Sequence, residues 1–173
     1  MNFVVDNRMV PGLPTAVAPS REETADSTLA NAFLAARPID SNAIRDRRRR
    51  VTVRVEHVLR SKNRVYLHYS IRNSGKHPYR LQTPMVERLL AFSPAESGPS
   101  RRETQVREDS LSRSGMTGAV ALDVAGVHLP GGELLPGQKA ECVIALDQSV
   151  ASGVLRLIFA PDRGRRVQAF VVL

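Results

Sequence analysis

Residues 51–72 read VTVRVEHVLRSKNRVYLHYSIR. Val51, Val53, Val55 and Leu59 fall on one face of a first strand, and Val65, Leu67, Tyr69 and Ile71 on one face of a second. Alternation with a period of two marks half-buried antiparallel strands, and Ser61-Lys62-Asn63 supplies a polar turn between them. The opposite face carries Thr52, Arg54, Glu56 and Arg60, then Tyr66, His68, Ser70 and Arg72. One side of this hairpin packs, and the other meets water or a partner. His57 interrupts the apolar face, where the ordinary reading is a satisfied core or rim histidine.

Towards the C-terminus, Asn73-Ser74-Gly75-Lys76-His77-Pro78 has the chemistry of a turn. Tyr79 to Phe92 reads as one or two strands broken by Pro84, which implies an edge, a bulge or a crossing between sheets. Residues 93–118 are polar and mixed in charge, and the expectation there is a long flexible loop, mobile or ordered by a partner. Strands resume over Ala119–Val127, Ala140–Leu146, Val154–Phe159 and Val167–Leu173. LPGGELLPG (129–137) reads as a loop, and Asp162-Arg163-Gly164-Arg165 as the hairpin turn between the final pair. About seven strands with turn signals at regular intervals predict an all-β fold over residues 51–173, an immunoglobulin-like β-sandwich.

Towards the N-terminus, residues 1–50 read as an extended arm with one short helix. Ser20 is a plausible N-cap, with Glu23 completing a capping box. Leu29, Ala32, Phe33 and Ala36 form a narrow apolar stripe, and Pro38 closes a helix spanning about 21–36. So short a stripe needs a surface to lie on, so Leu29 and Phe33 are candidate contacts to a second subunit. Arg45-Asp46-Arg47-Arg48-Arg49-Arg50 follows. The run has two readings: an anion-binding patch on Arg47, Arg48, Arg49 and Arg50, or a solvated linker that keeps the next strand from edge pairing. No aromatic residue interleaves the arginines, as single-stranded nucleic acid binding favours.

The chain has 173 residues and a net charge of +8. Residues 51–92 hold eight basic side chains against two acidic ones, so most of the excess sits on the first strands. A basic face suits an acidic protein surface, nucleic acid or anionic lipid. Aromatic residues make up 5%, which points to an aliphatic core. Cys142 is the single cysteine and alternates with Ile144 and Leu146, as a small buried thiol does. No apolar run approaches the roughly 18 residues of a membrane span. The N-terminus lacks the pattern of a signal peptide, which read literally implies a cytoplasmic chain; a mature fragment restarted with Met looks the same.

His57, His68, His77 and His128 show no metal-ligand spacing. No G-x-S-x-G presents a nucleophile, and no glycine-rich loop opens a helix to cradle phosphate. The expectation is therefore a non-enzymatic protein without catalytic residues, metal or cofactor. Its partners are expected to be other protein subunits, met through Arg54, Tyr66, His68 and Arg72 on the outer hairpin face and through the arm. The alternative partner is nucleic acid, held by a cytoplasmic adapter through the arginine run.

Three segments resemble one family in the same order. VYLHYSIRNSGKHPYRLQTPMVERL is similar to the strand, Asn-Ser turn and strand of the TraN-type conjugal transfer proteins, which group with the outer-ring β-sandwich subunits of type IV secretion systems. Val65 to Ile71, Asn73-Ser74 and Tyr79 carry that likeness. Arg101-Arg102-Glu103-Thr104-Gln105 resembles the family's basic-Thr-Gln segment, and LPGQKAECVIALDQSVASGVLRLIFAPDRGRRVQAFVVL its closing strands, with Gly164-Arg165 at the turn. The resemblance implies a structural subunit of an envelope-spanning channel with a periplasmic or envelope location. The N-terminus departs from that pattern, having no signal peptide and a helical arm.

Overall fold

The structure is a computed structural model describing residues 36–41, 50–61, 64–91, 103–112, 116–147 and 153–173. In chain order its strands are β1 (Arg37–Pro38), β2 (Val51–Ser61), β3 (Arg64–Asn73), β4 (Tyr79–Arg80), β5 (Met85–Ala91), β6 (Thr104–Val106), β7 (Met116–Leu122), β8 (Val124–His128), β9 (Glu133–Leu134), β10 (Lys139–Asp147), β11 (Val154–Asp162) and β12 (Arg165–Val172). One short helix, α1 (Glu108–Ser112), follows β6. The first sheet runs β1-β2-β3-β10-β8, the second β6-β12-β11-β5-β7, and β4 pairs with β9 apart from both. All named pairs are antiparallel. The chain is thus an all-β sandwich-like fold, with more strands than the expected seven because short pieces pair at its margins.

Alternation builds the core. Val51, Val53 and Val55 of β2, Val65, Leu67, Tyr69 and Ile71 of β3, and Cys142, Ile144 and Leu146 of β10 all point inward from the first sheet. Val86, Leu155, Leu157, Phe159, Val167, Ala169 and Val171 meet them from the second. Each fully buried aliphatic side chain contributes about 1.5–3 kcal/mol relative to exposure. Tyr69 packs edge-on against Phe159, ring centroids 5.5 Å apart, in an otherwise aliphatic interior.

The expected inward position of Leu59 is overturned. A bulge between Val55 and His57 shifts the register, so Val58 faces Leu67 and takes the core position. Glu56 is the extra residue, and His57 turns to the outer face opposite His68. Such a bulge is a local insertion that re-aims every side chain beyond it.

The expected loop over 93–118 is also corrected, since β6, α1 and the start of β7 lie within it. The physical reason is Gln105, which is 1% exposed. Its Oε1 accepts from Val55 N at 2.9 Å and its Nε2 donates to Val53 O at 3.0 Å. One carboxamide thereby satisfies a donor and an acceptor on the outward edge of β2. Beside it, Asp40 O accepts from Gln105 N at 2.9 Å, and β1 pairs with β2 further along. The two sheets are stitched together on this side, and buried Ile39 joins the core ahead of Val51. Leu111 of α1 covers Val154, Phe170 and Val172 on the outside of the second sheet. The expected helix at 21–36, apart from Ala36, lies outside the described residues.

At the opposite side the expected single strand 119–127 is two strands. β7 belongs to the second sheet and β8 to the first, with Asp123 at the crossing. Pro84 likewise marks a passage between sheets, from β4 to β5. LPGGELLPG contains β9, which pairs Leu134 with Tyr79. The turn of the last hairpin places Arg163 at φ 50° and Gly164 at φ 79°. Two left-handed central residues are the type I′ geometry that matches strand twist, and glycine takes the second without a Cβ penalty.

Asn73 fastens the end of β3. Its Nδ2 donates to His77 O and Leu134 O, each at 2.8 Å, while its Oδ1 accepts from Gly75 N at 2.9 Å. Tyr79 then anchors β4 to β11 by donating its hydroxyl to Ala160 O at 2.7 Å.

Two outcomes are expected. Gln105→Ala leaves the Val53 carbonyl and Val55 amide buried without partners and should cost about 2–4 kcal/mol, read from urea unfolding. The second concerns pH. Burial pushes the Cys142 thiol up to about 11 from an ordinary 9.0, and raises the Tyr69 and Tyr79 hydroxyls above their ordinary 10.0. The unfolded chain gives up these protons first, so unfolding releases protons at alkaline pH. The stabilisation is complete below about pH 9 and is lost as pH rises towards about 11, which unfolding midpoints across that range should show.

Candidate functional site

Cross-strand registers assemble the outer face of the first sheet in rows. Thr52, Arg72 and Lys139 form one, and Arg54, Ser70 and Glu141 the next. His57, His68, Val143 and His128 form a third, and Leu59, Tyr66, Ala145 and Gly126 a fourth. Arg54, Tyr66, His68 and Arg72, singled out from the hairpin, therefore do share one surface. Arg54 and Arg72 are exposed, while Tyr66 and His68 are half-buried.

β10 supplies the part of this surface that the hairpin alone does not reveal. Glu141 Oε2 lies 3.0 Å from His68 Nε2, and Glu141 Oε1 lies 2.6 Å from Lys139 Nζ. Lys139 also stands 3.6 Å from Glu56 Oε1, which accepts the Ser70 hydroxyl at 2.8 Å. The hydrogen bond to Glu141 holds the Lys139 ammonium above its usual pKa. The centre of the face is thus a mixed-charge network in which both carboxylates are engaged. Among the described residues of this face, Arg54, Arg64 and Arg72 have no ion-pair partner; Arg64 lies at the far end of β3 opposite Asp147, so Arg54 and Arg72 are the unpaired cations beside the network.

The bulge in β2 brings His57 over His68. The two rings stack at 16° with centroids 5.4 Å apart, and their Nδ1 atoms are separated by 3.2 Å. One nitrogen must donate and the other accept. When both rings are neutral, His68 uses its Nε2–H on Glu141, leaving a bare Nδ1 to accept from His57. The chain of contacts runs His57, His68, Glu141, Lys139. Ser70 is buried and its hydroxyl is committed to Glu56, not aimed at a histidine.

Other candidates fall elsewhere. Arg50 is exposed at the start of β2, and its carbonyl accepts from Ser74 N at 2.6 Å. Arg47, Arg48, Arg49, Leu29 and Phe33 lie outside the described residues. Among the described residues no group of three or more His, Cys, Asp or Glu is arranged to hold a metal, and no helix is long and apolar enough to cross a membrane.

Glu56, His57, Lys139 and Glu141 were not identified as site residues from sequence. The available signal was the alternation of Lys139, Glu141 and Val143 against buried Ala140, Cys142 and Ile144, but its register against β3 is a non-local pairing. Long-range proton–nitrogen spectra recorded with both imidazoles neutral should show His57 carrying its proton on Nδ1 and His68 on Nε2. In His68→Gln, His57 should lose that tautomer preference. Compared with protein-family models, curated proteins and solved structures, the chain matches none of them.

Proposed function

We propose that this protein is a non-enzymatic structural subunit of a multiprotein secretion or conjugative-transfer assembly, and that the outer face of its first sheet docks on an acidic partner. The observation that carries the reading is the pairing pattern on that face. Glu56 and Glu141 are engaged within the sheet, while Arg54 and Arg72 stand exposed on neighbouring strands without an ion pair. A rigid sheet presenting two uncommitted guanidiniums offers directed donors for carboxylates at little conformational cost. Half-buried Tyr66 lies on the same strand and adds an amphipathic contact of the kind favoured at interfaces. In this reading the sandwich is an immunoglobulin-like building block, and the arm with Leu29 and Phe33 reaches a second subunit. The resemblance to TraN-type proteins supports the setting.

Charge of this kind steers association and selects partners, while apolar contacts supply most of the affinity. The test is purification of the native complex in mild detergent, with and without nuclease, from cells carrying wild type or Arg54→Glu/Arg72→Glu. Wild type should retain envelope or secretion subunits after nuclease treatment. The double reversal should lower that recovery about tenfold or more while changing stability by less than about 0.5 kcal/mol. Recovery that disappears with nuclease, or that ignores the reversal, refutes the proposal.

A further inference from the structure

Among the described residues five large hydrophobic side chains are exposed: Met85 at 63%, Leu90 at 39%, Val120 at 49%, Val127 at 41% and Leu135 at 49%. Four of the five lie on β5, β7 or β8, at the side of the sandwich away from Gln105. The apolar surface is therefore concentrated along one margin.

Among the described residues that margin is also the less guarded one. β1 is two residues long and includes a proline, β6 is three residues long, and the edge of β2 is satisfied by Gln105. β7 is seven residues, MTGAVAL, with no charge, proline or bulky polar group; a bulge displaces its first residues, and Gly118 to Leu122 pair regularly. It pairs with β5 on one side, and among the described residues nothing pairs with its other side. Natural edge strands of this length usually carry a lysine, a proline or a covering segment that prevents pairing with another chain.

We propose that β7 is a self-association edge, and that its occupant is β7 of a second copy, paired antiparallel about a two-fold axis to join the second sheets of the two copies. Charge argues for a second copy. Two-fold pairing sets a strand against itself, and like charges directly opposite are unfavourable. β7 has none to oppose. Its flanking acid, Asp123, goes to opposite ends of an antiparallel pair and never meets its own copy. Two-fold pairing also closes the assembly at two, since each edge consumes the other. Val120 and Leu90 lie on one face of the margin and Ala119, Ala121 and Met85 on the other, while the charges of β5, Arg88 opposite Val120 and Glu87 opposite Ala121, stay one strand back from the edge, so the new seam itself brings together only β7 side chains.

This edge belongs to the second sheet, whereas Arg54 and Arg72 belong to the first, so either proposal can fail alone. The test is the mass of the full chain in solution, by light scattering and sedimentation over a range of concentrations. Wild type should be a dimer. Val120→Lys and Ala119→Lys, both at exposed positions, should be monomeric with unchanged circular dichroism and melting. Full chains carrying one added cysteine, Ala119→Cys, Val120→Cys or Ala121→Cys, should include at least one that forms a disulfide dimer on oxidation, native Cys142 being fully buried. A wild-type monomer at every concentration overturns the proposal, as does the absence of any cross-link. A dimer that ignores both lysines but is lost in Leu29→Asp/Phe33→Asp overturns it in favour of the arm.

Discussion

Peptide groups on the edge of a sheet need partners once they leave water, and between Val53 and Val55 those partners belong to one side chain. The Gln105 carboxamide offers a donor and an acceptor on a planar group, which matches what an extended backbone presents. Because Gln105 sits on β6 of the second sheet, satisfying β2 also fixes the distance between sheets on that side. Asp40 and Thr104 continue the seam, and Ile39 follows them into the core. A hydrophobic side chain at 105 would fill the space and leave two polar groups stranded.

The two sides of the sandwich consequently differ in kind. One is sealed by side-chain and short-strand pairing, and the other is spanned by a chain that changes sheets at Asp123. Asn73 does a comparable task at the end of β3, where three hydrogen bonds hold the turn against the segment carrying Leu134. Polar groups thus locate the margins, while the aliphatic interior, indifferent to direction, supplies cohesion.

Much of the fold was legible because it depends on nearest neighbours. The first hairpin, the type I′ turn at Arg163-Gly164 and the burial of Cys142 all follow from local alternation and backbone preference. The bulge at Glu56 was not, since alternation read along one strand carries no mark of where an extra residue is absorbed. β6 was hidden because a single buried glutamine looks like any polar residue of a mixed segment. The candidate face was half legible for the same reason. Arg54, Tyr66, His68 and Arg72 share a hairpin, whereas Lys139 and Glu141 reach them through a pairing some seventy residues distant in sequence. What looked like a uniformly basic surface has a mixed-charge centre, with Arg54 and Arg72 unpaired beside it and Arg64 at its far end.

The bulge also decides which deletions β2 can absorb. Val51, Val53 and Val55 point inward before it, and Val58 does so after it. Excising either Glu56 or His57 restores unbroken alternation from Val51 to Val58, whereas excising Thr52 or Arg54 turns the valines that precede it towards water. Single-residue deletions earlier in this strand therefore reverse its inward face, but a deletion at the bulge does not. Loss of Glu56 removes the carboxylate that Ser70 and Lys139 share, and loss of His57 removes the ring stacked on His68. The extra residue of the bulge thus supplies two of the outer face's polar contacts without costing the core a side chain.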